Sequence, residues 1–129
     1  MAERPPSLAD IEALAGRALA ALPGRFKRHL GPVVIRVEEF CDEATEAEMG
    51  LESPFDLLGL YRGVALPLKS VSDPRPDIDM IMLYRRPLLD YWCESGEDLY
   101  QIVRHVLIHE IGHHFGFSDE DMERIENSP

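Results

Sequence analysis

Cysteine is scarce in this chain of 129 residues. Cys41 and Cys93 lie far apart, form no CxxC pair and are not beside the histidines in sequence. That excludes a paired-thiolate metal motif, and the expectation is two free, buried thiols in a reducing cytosol. Basic charge is scarce too: 13 Lys and Arg stand against 24 Asp and Glu, for a formal net charge of −11. Nucleic-acid binding draws most of its affinity from Lys and Arg facing phosphates, so the balance argues against DNA, RNA or an anionic membrane as partner. A long apolar run is missing as well. Met1-Ala2-Glu3-Arg4-Pro5-Pro6 has no signal core, and Asp10, Glu12, Gly16 and Arg17 break the alanine-rich run that follows. The expected location is cytoplasmic. No internal repeat or second domain is visible, and the length suits one domain over residues 1–129.

What is present is a well-punctuated series of elements. Ser7 suits the N-cap of a helix whose apolar positions, from Leu8 through Ile11, Ala15 and Ala18 to Leu22, recur at helical spacing until Pro23-Gly24. The basic group Arg25, Lys27, Arg28 and His29 beside Phe26 reads as a solvated face. Val33, Ile35 and Val37 alternate with Arg36 and Glu38 in a half-buried strand. The acidic stretch after it contains a short helix over about Glu43–Met49. Leu57–Ala65 favours a strand in which Gly59 and Gly63 mark a bulge, an edge or the close approach of another backbone. A turn-rich loop, Ser72–Asp77, leads to a strand over Ile78–Tyr84, apolar on both faces and ended by Pro87, with a short helical turn over Leu88–Cys93. The last long helix begins near Ser95. Apolar on most sides, it leaves only Gln101, Arg104 and His105 facing solvent, which makes it the buried spine of an α+β domain.

That spine carries His109-Glu110-Ile111-Gly112-His113. Two histidines four residues apart project from one helical face and can grip one ion. Glu110 is offset by roughly 100° and can reach a water held by that ion. This is the logic of HExxH: two nitrogen ligands for zinc, and a carboxylate that takes the proton of the metal-bound water. A buried apolar helix would ordinarily not carry these three polar groups without a partner for them. The continuation to Asp119 fits H-E-x-x-H-x-x-G-x-x-D. Gly116 can adopt a left-handed conformation and turn the chain back, placing Asp119 where a third ligand is needed. A competing reading has Ser118 and Asp121 cap a final short helix through Ile125, with Asp119 in its first turn; the ligand reading is preferred. His114 points elsewhere than His113. Gly112 costs the helix about 1 kcal/mol relative to alanine, so something packs closely there.

Three segments together resemble the bacterial minimal zincin-like metallopeptidases: Leu57-Leu58-Gly59-Leu60-Tyr61-Arg62-Gly63, Met82–Leu89, and Val106-Leu107-Ile108-His109-Glu110-Ile111-Gly112-His113-His114-Phe115-Gly116. The resemblance implies a minimal zincin fold, a small mixed three-stranded sheet packed against helices with HExxH on the C-terminal active-site helix. It also implies one zinc ion and a peptide or protein substrate. The extended motif is similar to that of metzincins, where the third ligand is usually histidine. Larger zincins add a methionine turn or a downstream glutamate ligand on a further helical subdomain. Here about ten residues follow Asp119, and Met122 lies too close in sequence to form that turn.

The expected function is therefore zinc-dependent peptide hydrolysis. His109, His113 and Asp119 hold the metal, and Glu110 is the general base. Tyr61, Tyr84 and His114 are candidates to steady the oxyanion. The competing reading is a non-catalytic metal-binding or protein-interaction module that keeps the zincin helix. A third is a regulatory protease with a single protein substrate.

Overall fold

The computed structural model describes residues 4–28, 33–62, 79–116 and 118–127, and only the backbone of Arg25, Phe26, His114, Phe115 and Asp119. Its first helix, α1 (Leu8–Ala20), starts where local chemistry dictates. The Ser7 side chain accepts from the Asp10 N–H at 3.0 Å while the Asp10 carboxylate accepts from the Ser7 N–H at 2.8 Å. Ile11, Ala15 and Ala18, on one face of α1, are fully buried. A four-residue turn of helix, α2 (Gly24–Lys27), follows, and the exposed Lys27 donates to the Ala20 carbonyl near the end of α1.

Strand β1 (Val33–Glu38) alternates as its sequence predicts, with Val34 and Arg36 outward. Helix α3 (Glu43–Met49) is bounded by an Asp42 cap and by Gly50 at φ +65°. Beyond a 3-10 turn at Pro54–Asp56 come β2 (Gly59–Arg62) and β3 (Asp79–Tyr84). The sheet order is β1-β3-β2, with β1 parallel and β2 antiparallel to β3. The class is thus α+β with a small mixed three-stranded sheet, as expected. Gly63–Ala65, the Ser72–Asp77 loop, Ile78 and His29 lie outside the described residues.

Period-two alternation sorts this sheet into two faces. Ile81 and Leu83 point into the main core, where they meet α1 and the long helix α5 (Leu99–Phe115). Tyr84 joins Cys41 and Leu57 in a smaller cluster, with Leu60 and Met82 packed against it. On that face Arg62 donates to the buried Thr45 hydroxyl at 2.5 Å, tying β2 to α3.

Three expectations need correction. The short turn expected over Leu88–Cys93 is an eleven-residue helix, α4 (Arg85–Ser95), that begins before Pro87. Pro87 sits in its first turn, where a missing N–H costs nothing, and the Arg86 N–H is satisfied by the Glu39 carbonyl at 3.1 Å. Consequently Ser95 closes α4 rather than opening the next helix. Gly96, at φ +72°, ends α4, and Asp98 caps α5 by accepting from the Gln101 N–H at 3.1 Å. The thiols also differ from expectation: Cys41 is buried, but Cys93, on the outer side of α4, is exposed.

Candidate metal centre

Helix α5 is the buried spine that its composition predicts. Val103 and Leu107 are fully buried, Ile108 and Ile111 nearly so. Gly116, at φ +70°, terminates it and donates to carbonyls of the last turn. The chain then reverses into α6 (Asp119–Glu126), which packs back on α5. Ser118 caps α6 in a reciprocal box with Asp121. Asp119 is therefore the first residue of a capped helix, the geometry of the competing reading, and its side chain lies outside the described residues. Motif and spine coincide, but α5 is followed by one more helix.

The motif helix and α6 meet at Gly112. A Cβ on Gly112 would come within 2.8 Å of Met122 Cγ and still closer to Met122 Sδ. Met122 is 2% exposed and belongs to the main core. The close packing expected from a glycine inside the motif is thus a methionine lying against the segment between His109 and His113. Gly59 does the same on the other side of α5, where a Cβ would meet Val106 Cγ1 at 2.6 Å. This is how β2, an edge of the sheet among the described residues, comes to lie directly on α5.

Of the expected site residues, His109, Glu110 and His113 share one stretch of α5. The His109 and His113 rings are 6.2 Å apart between centroids and inclined at 55°. His113 is exposed and His109 is half-buried. Glu110 is half-buried; desolvation raises its carboxyl above the usual carboxylate range, and the neighbouring His113 partly offsets that rise. Among the oxyanion candidates, Tyr84 lies in the small cluster away from α5. Tyr61 packs against the main core, its hydroxyl raised by burial and then by Asp79. The His114 side chain is not described.

Sequence reasoning missed two residues that stand against His109. The His105 ring is one turn back, 4.1 Å from the His109 ring between centroids. Glu126, at the end of α6, places Oε1 in contact with His105 Nδ1 and 3.6 Å from His109 Nε2. That oxygen is shut off from solvent and makes no hydrogen bond of normal geometry among the described residues. Arg104 holds the arrangement, donating to the Glu126 carbonyl at 2.7 Å and the Ile125 carbonyl at 2.6 Å. The ligand atoms of His105, His109 and Glu126 lie within 4.8 Å of one another. The His105–His109 spacing of four residues was visible; the return of Glu126 was not. A cleft of about 460 Å³ opens beside this group, with Leu58, Ile102 and Val106 on its apolar side.

Imidazoles aligned along one helix, with a desolvated carboxylate oxygen facing them, are a donor set suited to zinc. A model of the zincin-like metallopeptidases matches residues 30–128. The chain belongs to that family. No curated protein matches it. Membership in this zincin-like family implies a zinc peptidase with peptide or protein substrates. Among the described residues no helix is long and apolar enough to cross a membrane.

Proposed function

We propose that the chain, as one domain over residues 1–129, is a zinc-dependent peptidase acting on peptide or protein substrates in the cytoplasm. His109, His113 and Asp119 hold one zinc ion, and Glu110 is the general base. The observation that carries this reading is Glu110: a half-buried carboxyl with raised proton affinity, on the same helix as two histidines in register. Zinc in that position supplies a Lewis acid for the scissile carbonyl and makes a water easier to deprotonate. Glu110 accepts a proton from the attacking water and delivers it to the leaving amine as the C–N bond breaks. Burial serves this role, because a carboxylate at its ordinary pKa is a weak base at neutral pH.

The substrate backbone adds to β2, the sheet edge that Gly59 brings against α5. In the same reading the cleft beside Leu58 and Val106 takes an apolar substrate side chain. The net charge of −11 supports the absence of nucleic acid and of an anionic membrane surface among the partners.

The test is Glu110→Gln against His109→Ala, each assayed for peptide hydrolysis and for zinc content. The glutamine variant is expected to keep zinc and lose at least about 100-fold in kcat. The alanine variant loses both zinc and turnover. Hydrolysis unchanged in Glu110→Gln would sink the mechanism.

A further inference from the structure

We propose that His105, His109 and Glu126 form a second position for a zinc-like divalent ion, one helical turn from the HExxH pair and sharing His109 with it. The proposal takes His109 and His113 as the catalytic pair, and so rests on the function proposed above. Three donors converge from two elements: imidazoles four residues apart on α5, and a carboxylate from the end of α6. Glu126 Oε1 is closed to solvent, has no properly formed hydrogen bond, and faces both rings. A desolvated carboxylate oxygen facing two imidazoles is costly unless a cation, or a proton on one of the rings, compensates it. The position is also built. Arg104 clamps the last two carbonyls of α6, and Met122 and Ile125 anchor that helix in the core, so Glu126 is positioned by a packed helix.

Two nitrogens and one carboxylate oxygen favour zinc, cobalt or nickel over magnesium or calcium, which prefer all-oxygen cages. To reach the roughly 3.3 Å between ligand atoms of tetrahedral zinc, His105 Nδ1 and Glu126 Oε1 part from direct contact while His109 Nε2 moves slightly closer, a matter of side-chain rotation. A neutral imidazole donates one lone pair. His109 therefore serves one ion at a time, and the two positions are alternatives. An ion at the second position takes His109 from the catalytic set, and because each arrangement holds one ion, their ratio is set by relative affinity and does not change with zinc concentration.

The experiment is calorimetric zinc titration, with Co(II) absorption as a second readout, on metal-stripped full-length protein. His113→Ala disables the catalytic pair at an exposed side chain and spares the fold. It is expected to bind one ion per chain. That binding weakens more than the about 10–100-fold expected for loss of an outer partner when Glu126→Gln or His105→Ala is added. If His113→Ala binds no ion while the unmodified protein binds one, the second position is overturned and the catalytic pair stands. Binding by His113→Ala that survives both additions overturns it too, because the ion then sits elsewhere. The reverse failure is distinct: if the unmodified protein loses its ion with His105→Ala but not with His113→Ala, the second position stands and the catalytic ligand set falls. Circular dichroism of each variant in chelator checks that the helices are intact.

Discussion

Glu110 sits where a carboxylate is least comfortable, and this has a measurable consequence apart from turnover. Desolvation raises its folded pKa above the unfolded value, with His113 opposing. A carboxyl whose pKa is raised on folding binds more protons in the native state than in the unfolded state across that interval. Stability therefore falls as pH rises through it, the opposite of a salt-bridged carboxylate. In metal-free protein, Glu110→Gln removes the buried charge while keeping the shape. The variant is expected to melt a few degrees above the parent at pH 7, with the difference closing near pH 4, where the parent carboxyl is protonated too. Thermal melts in chelator across that range decide it; a variant less stable than the parent at pH 7 would show that Glu110 is held by compensating partners. A group that costs stability and contributes chemistry fits an active site better than a scaffold.

At the scale of elements, what was legible depended on whether the determining contacts were local. Ser7 fixes the start of α1 and Gly116 the end of α5 through neighbours within four residues, and both could be read directly. The α4–α5 junction was misplaced because Pro87 looks like a stop and Ser95 like a start. Only the Glu39 carbonyl, brought alongside by the β1–β3 pairing, shows that Pro87 lies inside a first turn. The site divides the same way. His109, Glu110 and His113 were visible as spacing, whereas Glu126 reaches His109 only because α6 folds back. Gly112 announced a close contact but not its partner. Replacing it with alanine gains about 1 kcal/mol of helix propensity, set against about 1–3 kcal/mol for overpacking a filled core. Since the obstructing atoms include Met122 Cγ and not only the flexible chain end, the clash wins. Gly112→Ala is expected to destabilise by about 1–2 kcal/mol, and adding Met122→Ala should give a double-mutant coupling of at least about 0.5 kcal/mol. Urea denaturation of the four proteins measures this, and strict additivity would mean that α6 does not bear on the motif through this contact.

For the molecule as a whole, the question is whether metal builds the fold or only uses it. The main core draws on α1, β3, α5 and α6 through Ile11, Ile81, Leu107, Ile108 and Ile125, all of them buried, while His105 and His113 are exposed. Burying a side chain of that size contributes about 1.5–3 kcal/mol, and this core closes with none of the candidate metal ligands among its members. Chelation should therefore leave a folded, cooperatively melting protein, unlike a zinc finger, whose folding free energy is its metal binding. Added zinc acts by mass action. At a free concentration 100 times Kd it contributes about 2.7 kcal/mol if the unfolded chain does not compete. For a domain of this length that raises Tm by roughly 10 °C. Calorimetry with chelator and with zinc supplies both numbers. Loss of the helical signal on chelation at 25 °C would mean that the metal centre holds α6 against α5, and that the core alone is too small to do so.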